Sequence, residues 1–150
     1  MSNLAAPPDV LRWTPRYEQE HGDCAVSALS LACGVTYETA LAAALKTAPE
    51  VLSQGMSWEE IKIAAKLLGM TPRLLRRGKY VLEESTGILN IKQPAVKDSD
   101  HVVYLWEGRI IEPKQDRRQL WLSAEQFLQH YRYKASSLMV FVDEEKDETT

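Results

Sequence analysis

Asp23-Cys24-Ala25-Val26-Ser27-Ala28-Leu29-Ser30-Leu31-Ala32-Cys33-Gly34 is the stretch that decides the fold. Small and apolar side chains fill it without a proline. It predicts a helix over 24–33, buried on most faces, with Gly34 placed as a left-handed stop. The approach, Gln19-Glu20-His21-Gly22, is polar and contains glycine. Cys24 therefore falls in the first turn, where unpaired backbone N–H groups and the positive end of the helix dipole favour a thiolate, the nucleophilic form. Cys33, within Leu31-Ala32-Cys33, reads instead as a small core hydrophobe. On one helix the two sulfurs stand more than two turns apart, too far for an unstrained disulfide, so both are expected as free thiols.

Upstream, Ala5-Ala6-Pro7-Pro8 and Trp13-Thr14-Pro15 disfavour a helix, because proline fixes φ and removes donors. Residues 1–16 are expected as an extended arm pinned by Trp13 and Tyr17. Downstream, Thr36 is a cap for a helix over 37–47, which Pro49 stops. Ser57 and Glu60 have the spacing of a capping box, followed by the apolar stripe Ile61, Ala64, Ala65 and Leu68 and the stop Gly69.

The period then changes. Runs at 71–76, 88–91, 102–106, 109–112 and 138–142 read as strands, interrupted by a last helix over 123–132 with Ser123 and Gln126 as a second capping box. Helices followed by strands imply an α+β fold, an N-terminal helical half packed on a C-terminal antiparallel sheet, over residues 17–142. Asp143 to Thr150 is expected as an acidic flexible tail.

The chain has 150 residues, enough for one domain with its own core. With 18 basic against 21 acidic residues, it offers no general attraction for phosphate backbones, and no nucleic-acid partner is expected. Arg73, Arg76, Arg77 and Lys79 read as a solvated loop face. No leader pattern opens the chain and no apolar run is long enough to cross a bilayer, so a cytoplasmic, reducing location without membrane attachment is expected, export by a non-classical route remaining open. Two cysteines and three histidines lack the paired short spacings of zinc ligands; neither metal nor cofactor is expected. His21 and His130 are expected in solvent, and Trp58, Tyr104 and Trp106 in packing.

His101 heads the run Val102-Val103-Tyr104-Leu105-Trp106. Glu107-Gly108 then separates this run from Arg109-Ile110-Ile111-Glu112, the economical reading being a two-residue hairpin turn. That register opposes Trp106 to Arg109, Leu105 to Ile110, Tyr104 to Ile111 and Val103 to Glu112. Glu112 becomes the diagonal neighbour of His101 on one face, at about 7–8 Å, within reach of an imidazole. A distant Cys and His with such a carboxylate match the nucleophile, base and orienting acid of thiol catalysis. Asp98, Asp100 and Asp116 are alternative acids.

These residues resemble the papain-like cysteine peptidases, most of all the compact bacteriocin-processing type that cleaves double-glycine leaders. The similarity lies in Gln19 ahead of Asp23-Cys24-Ala25-Val26-Ser27-Ala28-Leu29, in Gly34-Val35, in Ser57-Trp58 with Leu68-Gly69, and in Asp100-His101-Val102-Val103. Glu112-Pro113 and Leu122-Ser123-Ala124-Glu125-Gln126-Phe127 continue it, although the family carries Asp-Pro at the former. The resemblance implies a papain-like fold, Cys24 as nucleophile, His101 as base, and Gln19 as an oxyanion donor beside the Cys24 backbone N–H. It implies a polypeptide substrate or partner protein and peptidase or isopeptidase chemistry. Acyl transfer or deamidation by the same site, and a binding module that keeps the fold without turnover, are the alternatives. The sequence leaves the oligomeric state open.

Overall fold

The computed structural model describes residues 24–95, 100–113, 118–121 and 123–142. The expected arm at 1–16, Trp13, Tyr17, Gln19, His21 and the tail at 143–150 lie outside the described residues. Helices α1 (Cys24–Cys33), α2 (Tyr37–Thr47), α3 (Val51–Gln54) and α4 (Trp58–Leu67) come first. Strands β1 (Pro72–Leu75), β2 (Gly87–Lys92), β3 (His101–Trp106), β4 (Arg109–Pro113) and β5 (Arg118–Trp121) follow, then α5 (Ala124–Tyr131) and β6 (Lys134–Phe141). The protein is thus α+β, with helices preceding an antiparallel sheet.

Local chemistry accounts for the helix ends. Gly34 has φ +68°, the left-handed conformation that stops α1. Thr36 accepts a hydrogen bond from Thr39 N at 3.1 Å and caps α2. At α4 the capping box closes in both directions: Glu60 N donates to Ser57 Oγ at 3.1 Å, and Ser57 N donates to Glu60 Oε1 at 2.9 Å. Ser123 supplies only the first half of a second box, accepting from Gln126 N at 3.2 Å. Exposed Gln126 has water to bond instead of the cap backbone.

Among the described residues six strands form one sheet in the order β1-β6-β2-β3-β4-β5, and every neighbouring pair is antiparallel. The β3–β4 hairpin has the expected register, with Trp106 opposite Arg109, Leu105 opposite Ile110 and Tyr104 opposite Ile111. Its turn has positive φ at both central residues, +47° at Glu107 and +82° at Gly108, so the local twist matches that of the strands. Gly108 also meets the backbone of Glu83, where a Cβ would lie 2.3 Å from the carbonyl oxygen.

Alternation gives the sheet two buried faces. Ile88, Met139 and Val102 pack with α1, α2 and α4, while Tyr104, Trp106 and Ile111 pack against Leu31 of α1. Leu89, Ile91, Val103, Leu105, Ile110 and Leu138 face the other way and surround Phe127 of α5. The sheet is therefore a middle layer, with α1, α2 and α4 on one face and α5 on the other. Strand β5 and the short α3 were not expected, and β6 begins four residues before the predicted 138. Four-residue elements give too few periods to stand out from loop sequence. Ala135, Ser136 and Ser137, beside a register shift between Leu89 and Ile91, break the apolar signal.

Candidate active site

Cys24 opens α1 and Cys33 closes it; both are free and half-buried. The helix between them is almost wholly buried from Ala25 to Leu31. Burial pushes the Cys33 thiol up to about 12, which makes it a poor nucleophile near neutrality. Cys33 is among the side chains packed on the main helical core.

Helix α1 lies along β3. Leu31 shares a buried cluster with Tyr104, Trp106 and Ile111, while Ala25, Ala28 and Leu29, earlier on the helix, belong to the core against which Val102 packs. Cys24 lies about 10 Å back from Leu31 at about 1.5 Å per residue, and His101 about 10 Å back from Tyr104 at about 3.3 Å per residue.

Across the sheet His101 pairs with Ile91, and Val103 with Leu89. Both partners belong to the cluster around Phe127, so alternation gives His101 to the strand positions that face α5, not α1. Its imidazole stacks on Tyr133, with ring centroids 6.2 Å apart and planes at 23°.

Glu112 follows Ile111 on β4 and pairs with Gln119 of β5; the β3–β4 pairing runs from Trp106 opposite Arg109 to Tyr104 opposite Ile111. Of the alternative acids, Asp100 is exposed beside His101, and Asp98 and Asp116 lie outside the described residues. Gln19 does as well. Arg73, Arg76, Arg77 and Lys79 are exposed, and so is His130. Tyr104 and Trp106 are buried in packing, Arg109 stacks 4.9 Å over the Trp106 ring, and Trp58 packs half-buried on the helical core. Among the described residues no group of three His, Cys, Asp or Glu side chains could hold a metal ion, and no single helix is long and apolar enough to cross a membrane.

Tyr133 is a residue that sequence reasoning passed over. It falls between a helix and a strand, and a lone tyrosine in a connection carries no periodic signal. No protein-family model and no curated protein matches the chain.

Proposed function

We propose that the protein is a papain-like cysteine hydrolase of polypeptides, with Cys24 as nucleophile and His101 as its proton-transfer partner. The observation that carries this reading is that α1 packs on β3 through Leu31 and Tyr104, while α1 begins with a half-buried thiol and β3 with a half-buried imidazole. The coarse architecture, helices before an antiparallel sheet, is compatible with it.

In this chemistry the Cys24 thiolate attacks a peptide or isopeptide carbonyl carbon. A tetrahedral oxyanion forms, and the Cys24 backbone N–H at the helix N-terminus is a donor to it; the Gln19 amide is the second donor in the proposal. The protonated His101 ring gives its proton to the departing amine, and the neutral ring then takes one from the water that releases the acyl enzyme. Glu112 is the proposed orienting acid.

A second reading is a peptidase-fold binding module without turnover. It is favoured by the register of His101, whose pairing with Ile91 assigns it to the α5 side of the sheet.

A broad peptidyl electrophile probe separates the two readings. Applied to the native protein and mapped by peptide mass, it labels Cys24 alone if the site is built for acyl transfer, and Cys24→Ala takes no label. Absence of label on a folded wild type, or label on Cys33, favours the binding module.

A further inference from the structure

Three near-parallel rings lead from the core under α5 to the first residue of β3. Phe127 is fully buried among Leu89, Ile91, Val103, Leu105 and Leu138. Tyr133 stacks on Phe127 at 6.2 Å with planes 9° apart, and His101 stacks on Tyr133 at 6.2 Å and 23°. The backbone of Tyr133 is tied down too, its N–H donating to Leu128 O at 2.9 Å, just after Arg132 ends α5 in a left-handed conformation. A ring held at both backbone and face has little freedom left, and a ring stacked on it inherits the constraint.

We propose that Tyr133 is the positioning residue of His101. The stack covers one face of the imidazole of His101. Tyr133 thereby limits the orientation of the ring plane at the start of β3. A fixed plane matters for proton transfer, because a ring nitrogen is useful only when its lone pair or N–H points along the transfer path. Use of the contact in catalysis rests on the thiol-hydrolase reading; the contact itself does not.

Tyr133→Phe keeps the stacked ring, and Tyr133→Leu removes it while keeping apolar bulk. In proton spectra of the wild type and Tyr133→Phe, the His101 ring protons are expected at positions displaced by the ring current of residue 133, and Tyr133→Leu abolishes the displacement. Alkylation of Cys24 by iodoacetamide is expected to slow by about two- to tenfold in Tyr133→Leu, the range for loss of one aromatic pair, and to stay at the wild-type rate in Tyr133→Phe. If leucine lowers the melting temperature below that of the assay, Tyr133→Met serves in its place. A folded Leu or Met variant with unchanged His101 resonances overturns the proposal, as does a Phe variant that behaves like the Leu variant. If instead His101→Ala leaves Cys24 alkylation at the wild-type rate, the thiol-hydrolase reading fails alone, and the ring-current result still decides the role of Tyr133 at His101.

Discussion

Leu31 and Tyr104 meet in one buried cluster, and this contact seats α1 on β3. Seven residues before Leu31 stands Cys24, and three before Tyr104 stands His101. The helical rise and the strand rise make these two intervals equal in length, about 10 Å each.

The two thiols are expected to differ in reactivity. With its thiol raised from 9.0 to about 12, native Cys33 at pH 8 carries roughly a thousandth of the thiolate it has in the unfolded chain. Iodoacetamide followed by peptide mapping should modify Cys24 in the folded protein and reach Cys33 only after denaturant is added. Equal labelling of both in native buffer would contradict the burial of Cys33.

Alkali is expected to destabilise the fold through two residues. Cys33 rises from 9.0 to about 12, by desolvation. Tyr104 rises from 10.0 to about 12, first by desolvation and then by the negative charges of Glu107 and Cys33. In both the folded state favours the protonated form, so their contribution is complete below the unfolded value and is lost as pH climbs toward the folded one. Urea midpoints should decline from about pH 9 to 12, with Cys33→Ala flattening the onset and Tyr104→Phe the later part. A midpoint that is constant or rises over that window would refute the assignment.

The cap and the core give stability predictions of different size. Ser57→Ala breaks the capping box of α4 and should cost about 1 kcal/mol. Phe127→Ala empties the centre of the α5 face, where the side chain is fully buried, and should cost about 3–5 kcal/mol. Urea unfolding of each variant checks the order; a cap loss exceeding the core loss would mean that α5 packs more loosely than Phe127 indicates.

Gly108→Ala tests the hairpin. It meets both a positive φ and the Glu83 backbone, so it should destabilise by more than the roughly 1 kcal/mol of an ordinary left-handed glycine replacement. Gly34→Ala, which meets no atom within 4 Å, is the control for the backbone conformation alone.

Elements with several periods or a cap were legible in the sequence. The helices 24–33 and 37–47 are found at their predicted residues, and the hairpin register follows from Glu107-Gly108 because a two-residue turn leaves one pairing. What escaped was set by distant contacts. Phe127 directs α5 to the face opposite α1, making the sheet a middle layer, and no local pattern specifies which face a single amphipathic helix will cover. The same choice of face governs His101: alternation from Val103 could be read along the strand, but the identity of the layer behind it could not. The ring that meets His101, Tyr133, belongs to a connection 32 residues further on, as the numbering shows.

The proposed pairing of Cys24 with His101 is tested most directly by the rate of Cys24 alkylation across pH 5–9 in the wild type and in His101→Ala. A thiolate–imidazolium pair predicts that the wild type keeps reacting on the acid side of neutrality, and that the variant is slower there by about 10- to 100-fold. Superimposable rate profiles for the two proteins, with both folded, would contradict it.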